Sequence, residues 1–519
     1  MYHSIHSMRF LRDPGVAAYR IRDASLLSRV FSAETAAALI EDGMVVGMSG
    51  FTRSGEAKAV PMALARRAQS NPVGITLITG ASLGNGLDGM LAECGVIRRR
   101  MPFQSDARLR SHINGGSVLY LDQHLSETAE QMRSGHLPAP DIAIIEATAI
   151  TEDGAIIPTT SVGNSAALVA QARQIIIEVN ATAPLGLEGM HDIYSPAQRP
   201  GRAPIPLIAP QDRIGQSAIR VDRDKIAAIV MSEKQDSFAL LSEPDVETHA
   251  IATHLTDFLI AEVRRGVLPP NLRPLQAGIG TIANAVLGGL VDAPFDGLTM
   301  YSEVLQDSAF DLMDAGKLDF ASASSITLSE RRHHDVLSRL DAYRGRLILR
   351  PQEISNHPEI VRRLGIIAIN TALEMDIYGN VNSTHVMGSH MMNGIGGSGD
   401  FARNADLSIF VTKSTAKRGG ITSVVPMVSH VDHTEHDVDI LVTEWGLADL
   451  RNLSPRERAA VIIRNCAHPD WRDGLEDYFQ RACHRGGQTP HLLAEAFRWH
   501  RKLGENGRMC QCLGSCSCL

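Results

Sequence analysis

Glu303 stands in Tyr301-Ser302-Glu303-Val304-Leu305-Gln306-Asp307, after the apolar run 298–301 and before a helix-like stretch. A carboxylate at a strand end can attack an activated carbonyl and carry a covalent intermediate. Taken alone it reads first as a solvated or ion-paired glutamate, as most such residues are. Its company gives it weight: Gly278-Ile279-Gly280 upstream, Ser355-Asn356 downstream, and Asn393-Gly394-Ile395-Gly396-Gly397-Ser398-Gly399-Asp400 further on. Gly278 to Ala283 fits G-x-G-x-x-A after an apolar strand and opens a helix over 282–290, where exposed amides favour phosphate. A dinucleotide reading requires an acidic residue about 20 positions on. Asp292 and Asp296 come early and in loops. Residues 393–400 hold four glycines, either a flexible turn or a backbone that approaches a ligand where any Cβ would clash. Ser355-Asn356, ahead of a helix over 359–364, reads by itself as an N-cap.

Together these motifs resemble the acetyl-CoA hydrolase/transferase family, the class I CoA-transferases, with the likeness running from about Arg20 to about Met509. The resemblance implies that Glu303 is the nucleophile and that the amides of Ile279 and Gly397, with the Asn356 side chain, are oxyanion donors. It implies coenzyme A contacts from Gly278, Ile279, Gly280, Thr281, Ile282, Asn393, Gly397 and Lys417, the last as a cation for a phosphate, and a supporting role for Glu444. The expected reaction moves CoA from succinyl-CoA to acetate through a glutamyl-CoA thioester, with CoA as substrate and no further cofactor or metal. Hydrolysis of acetyl-CoA by the same glutamate is the alternative, and a non-catalytic CoA-binding protein a more distant one. A cytoplasmic homodimer is expected. Gly50, Phe51, Ala81 and Ser82, at first-half strand ends, are expected to line the acid pocket. The chain departs from the family at Ala107-Arg108, where a small hydroxyl residue is expected, and around 232–238, where an arginine is expected.

His430, His433 and His436, with Asp432 and Glu435, suggest a metal site, but 424–426 and 438–440 frame them as a loop between strands. The family carries a similar His-Val-Asp-His stretch without metal. Four of the seven cysteines crowd residues 510–519 in a C-x-C-x3-C-x-C spacing that matches no standard zinc pattern.

These side chains must be held by an α/β fold. Apolar runs alternate with helical patterns, the signature of mainly parallel sheets flanked by helices. Strands are predicted at 44–48, 75–79, 118–121, 142–148, 175–179 and 226–231, then at 275–279, 298–302, 320–324, 347–350, 366–369, 407–411 and 440–443. Helices are predicted at 33–41, 57–69, 165–173 and 243–265. Gly154-Ala155-Ile156-Ile157-Pro158-Thr159 with Gly163 matches Gly379-Asn380-Val381-Asn382-Ser383-Thr384 with Gly388, a faint internal repeat. It predicts two related domains, 20–232 and 233–509, the second carrying Glu303, with an unstructured extension over 1–19 and a Cys-rich tail over 510–519. The resemblance places the active site at the domain interface.

A chain of 519 residues exceeds one core. Its net charge of −8 gives no bulk basic surface for nucleic acid. Its apolar runs fall well short of the roughly 20 residues that span a bilayer.

Overall fold

The computed structural model describes residues 14–509; residues 1–13 and the Cys-rich tail lie outside the described residues. Within the expected unstructured extension, Pro14–Arg20 is a helix. Its last residue, Arg20, is buried and donates to the carbonyls of Thr148 (2.9 Å), Ala183 (2.8 Å) and Ala181 (2.8 Å). The chain forms two compact units. The first holds residues 1–240, 300–307 and 320–360, and the second holds 241–299, 308–319 and 361–519.

The first unit is built on seven parallel strands: β1 (Val45–Met48), β2 (Ile75–Ile78), β3 (Ile97–Met101), β4 (Leu119–Tyr120), β5 (Ile142–Ala147), β6 (Gln174–Asn180) and β7 (Ile226–Ser232). Their order is β4-β3-β2-β1-β5-β6-β7. Every residue of β5 is buried, and all but Glu146 are apolar, as expected of a parallel strand covered on both faces. Helix Ala59–Ala68 covers one face through Val60, Leu64 and Ala68. Its first amides are met by a strand carboxylate, since buried Glu178 on β6 accepts from Lys58 N (2.8 Å), Ala59 N (2.8 Å) and Val60 N (3.1 Å). A carboxylate there suits both the orphan donors and the helix dipole.

Beyond β7 the chain continues through β8 (Leu275–Ala277), β9 (Leu298–Tyr301), β10 (Val304–Leu305), β11 (Leu318–Ala323), β12 (Ser325–Ile326), β13 (Leu347–Leu349), β14 (Ile367–Thr371), β15 (Leu407–Val411), β16 (Ile440–Thr443) and β17 (Gly446–Asp449). β9 and β11 each begin in the second unit and end in the first. Inside the second unit β8, β14, β15 and β16 pair in parallel, and β17 returns antiparallel to β16. The core there gathers Phe410, Leu441, Tyr478, Trp471 and Trp499, the two indoles packed edge to face at 5.0 Å.

The internal repeat has a structural basis. Gly154 (φ +85°) and Gly379 (φ +98°) turn two hairpins, Ala149–Ile150 with Ile156–Ile157 and Glu374–Asp376 with Val381–Asn382. In each unit the hairpin falls between two neighbouring parallel strands, β5 and β6 or β14 and β15. A helix follows it, Ser165–Gln171 or Ser398–Ala402.

Candidate active site

Glu303 occupies the two-residue step between β9 and β10 and is only 6% exposed. Its main chain is fixed on both sides. The Glu303 carbonyl accepts from the amides of Ser324 (2.8 Å) and Ser325 (3.1 Å), and Val304-Leu305 pairs in parallel with Ser325-Ile326. The Asn356 side-chain amide donates to Glu303 Oε1 at 2.5 Å. Burial pushes the carboxyl up to about 7, against the opposing pull of that hydrogen bond. A neutral amide orients the carboxylate without holding it ionised as an arginine would.

Asn356 does not cap the following helix. It ends the short helix Gln352–Ser355, donating its backbone N–H to Gln352 O (2.8 Å), and the next helix is Pro358–Leu364. Three contacts hold this turn: the Tyr301 hydroxyl donates to Ile354 O (2.6 Å), Gln352 N to Gly163 O (3.0 Å), and Arg133 pairs with Glu353 (3.0 Å). Tyr301 comes two residues before Glu303, so the strand that carries the carboxylate also anchors the turn that carries its amide.

Beside this step Phe51, Ala81, Leu125 and Val304 form one small apolar cluster, with Phe103 against it. Two of the four pocket residues expected from the sequence thus adjoin the residue after Glu303. Gly50 shapes the turn: at φ +127° its carbonyl receives the amides of Gly80 (3.1 Å) and Ala81 (3.3 Å). The Ser82 hydroxyl is hydrogen-bonded to that of Ser105 (2.9 Å).

Sequence reasoning missed a buried charged group. The Lys58 side chain is fully enclosed and its ammonium donates to Glu56 O (2.8 Å), Glu146 Oε1 (2.6 Å) and Asp236 Oδ1 (2.8 Å). Burial opposes the Lys58 charge, but Asp236, Glu146 and Glu56 outweigh it and raise the pKa. Burial also pushes Glu146 up to about 8 and Glu56 up to about 7. Asp236 is lowered, because Lys58 prevails over burial there, so Lys58 and Asp236 form the ionised pair. Asp236 also accepts from Thr160 Oγ1, and the Ser54 hydroxyl, 3.3 Å from Asp236 Oδ2, donates to Ile326 O on β12. The lysine therefore reaches the strand that pairs beside Glu303. Its only signal in the sequence is a charged residue at the head of an apolar helix.

In the second unit Gly278 donates its amide to Ile369 O (2.8 Å), and Gly280 (φ +114°) caps helix Thr281–Gly288. That backbone conformation excludes ordinary side chains, which accounts for the glycine. Ile279 between them is 39% exposed, a large apolar side chain turned outward, and Thr281 and Ile282 begin the helix. Gly397 precedes helix Ser398–Ala402, and Asn393 Nδ2 donates to Gly394 O (3.2 Å). Glu444 accepts from Ser414 N (2.8 Å) and from the Ser414 hydroxyl. Just beyond Ser414 lies the hairpin of Thr415–Ala416 and Ile421–Thr422, whose turn carries exposed Lys417 at φ +47°. Glu444 thus braces the base of the Lys417 turn. His430, His433 and His436 lie in the loop before and within the short turn Glu435–Asp437, with His433 Nε2 3.2 Å from Ser398 Oγ. Among the described residues no cluster of His, Cys, Asp and Glu is arranged to hold a metal, and no helix is long and apolar enough to cross a membrane.

Residues 19–231 match the acetyl-CoA hydrolase/transferase N-terminal domain and residues 334–479 the C-terminal domain. A succinyl-CoA:acetate CoA-transferase of Clostridium kluyveri is 52% identical over 95% of this chain and 92% of its own. The chain belongs to the acetyl-CoA hydrolase/transferase family. Within the family it is also similar to an acetyl-CoA hydrolase of Schizosaccharomyces pombe (46% identity, 96% of this chain, 99% of that one) and a propanoyl-CoA:succinate CoA transferase of Escherichia coli (44%, 92% and 98%). RipA of Yersinia pestis shares the fold with a TM-score of 0.69 at 22% identity, and 4-hydroxybutyrate CoA-transferase of Porphyromonas gingivalis with 0.61 at 21%, each covering 88% of this chain and 98% of its own.

Proposed function

We propose that this enzyme moves coenzyme A between short-chain acyl-CoA and free carboxylates, with succinyl-CoA and acetate giving acetyl-CoA and succinate. The observation that carries the reading is Glu303, enclosed, fixed through its main chain and held by the Asn356 amide at 2.5 Å. In the proposed sequence the Glu303 carboxylate attacks the thioester carbonyl. The carbon–sulfur bond breaks, leaving an acyl-glutamyl anhydride and CoA thiolate. The thiolate then attacks the glutamyl carbonyl, forming a glutamyl-CoA thioester and releasing the first acid as its carboxylate. A second carboxylate enters and the steps run backwards, returning Glu303. Each attack builds an oxyanion, which the Asn356 amide can receive as a neutral, pre-placed donor. For the second unit we assign coenzyme A contacts to the loops around Gly278-Ile279-Gly280 and Asn393 to Gly397, and a phosphate contact to Lys417.

Retention of the thioester energy removes any need for ATP. Hydrolysis is the second reading, favoured by the hydrolase names of relatives at 44–46% identity; it differs only in water taking the acceptor's place. Transfer assays over a panel of acids, run beside a free-thiol assay without acceptor, test the proposal. Thiol release that is fast and insensitive to added acid would select the hydrolase.

A further inference from the structure

A cavity of about 190 Å³ in the first unit is lined by Arg53, Leu83, Gly84, Asn85, Gly86, Ser105, Asp106 and Ser237. One water needs only about 10–15 Å³ of such volume, so the space has room for a small organic molecule. Its wall is built at conformational cost: the lining residues Arg53 (φ +65°) and Asn85 (φ +54°), and Thr52 (φ +55°) next to Arg53, all adopt left-handed backbone. Such non-glycine residues concentrate at ligand sites, where the surrounding structure over-determines them. The Arg53 guanidinium makes no hydrogen bond or ion pair with the described residues. The Ser237 hydroxyl is buried without a partner among them. Asp106 is the acidic lining residue, and its carboxylate is engaged by the amides of Arg108 (2.8 Å) and Leu109 (3.1 Å). Asn85 Nδ2 is engaged by Glu56 Oε1 (2.9 Å).

The loop that supplies Arg53 to the cavity also packs beside the residue that follows Glu303. Leu83 lies so close to Gly50 that a Cβ there would stand 2.9 Å from Leu83 Cδ2. Phe51 packs with Val304. The Thr52 carbonyl accepts from Thr327 Oγ1 (2.8 Å), whose own amide donates to Leu305 O (3.0 Å). One loop, Gly50 to Ser54, therefore presents an apolar side chain beside the nucleophile and, two residues on, an uncommitted cation.

We propose that this cavity is the remote-carboxylate subsite for a dicarboxylic acid, with Arg53 and the Ser237 hydroxyl as donors to the carboxylate that does not react. The inference rests on the CoA-transfer reading and refines it: a four-carbon diacid carries its second carboxylate only two methylenes from the first. A monocarboxylate such as acetate leaves the subsite unused.

Calorimetric binding of succinate and of acetate to wild type, Arg53→Gln and Arg53→Lys needs no turnover, and initial rates with each acid as acceptor complete the comparison. Arg53→Gln is expected to weaken succinate about tenfold to a hundredfold, the scale of one charge-assisted contact, with acetate within about twofold and Arg53→Lys intermediate. Equal losses for both acids, or no change for succinate, would overturn the subsite. Arg53-dependent succinate binding in an enzyme that transfers no CoA would uphold the subsite and overturn the transfer reading instead.

Discussion

At the residue scale the proposed mechanism requires the buried Glu303 carboxyl to be ionised for attack, and its value near 7 fixes the direction of two effects. kcat/KM should fall as the pH drops through about 7, because protonation removes the nucleophile; an acid limb at pH 4–5 would show an unperturbed carboxylate. The stability effect has the opposite sense. With the folded value raised above the ordinary 4.5, the contribution of Glu303 to stability is fully present below pH 4.5 and is lost as the pH rises through 7. Glu303→Gln should therefore be more stable to unfolding than wild type at pH 8, by roughly 1 to 3 kcal/mol, while losing transfer. No gain at pH 8, or an equal gain at pH 4, would contradict this. Asn356→Ala should lower kcat about 10²- to 10³-fold, the usual cost of one oxyanion donor; a loss confined to KM would make it a binding residue. Glu303 and Asn356 were legible as partners only through the family likeness, since they are far apart in the chain. Arg53 had no local pattern to mark it, because its meaning depends on Ser105 and Ser237 arriving from elsewhere.

Among the elements, the strands were the most legible. Predicted runs 407–411 and 440–443 coincide with β15 and β16, because strands covered on both faces spell continuous apolar sequence. β3 was missed for the complementary reason: Arg98, Arg99 and Arg100 break its apolar pattern, and only folding shows Arg100 fully buried against Asp88 (2.9 Å). Helix 33–41 was overextended; Ala33–Ala37 is what forms, and only Ala38 and Leu39 continue it, as a turn. The head of Ala59–Ala68 carries the heaviest electrostatic load, and Lys58→Met there leaves Asp236 and Glu146 buried without their cation. It should cost about 3 to 5 kcal/mol in urea unfolding, the scale of breaking a buried ion pair. A loss below about 1 kcal/mol would show that the carboxyls are already neutral and the lysine dispensable.

Across the whole molecule, the duplicated strand–hairpin–strand plan was visible as a few matched glycines, because only turn positions constrain sequence tightly enough to outlast divergence. The assignment of 300–307 and 320–360 to the first unit was not visible, since it is made by pairing between segments distant in the chain. Transfer by way of Glu303 demands ping-pong kinetics, with parallel lines when initial rates are measured against both substrates; intersecting lines would require both substrates bound together. The central claim is tested most directly by mass. Wild-type enzyme incubated with succinyl-CoA and digested should carry a coenzyme A thioester on the peptide containing Glu303, one per chain, and added acetate should discharge it as acetyl-CoA. An adduct on another residue, or no adduct in an enzyme that still transfers CoA, would contradict it.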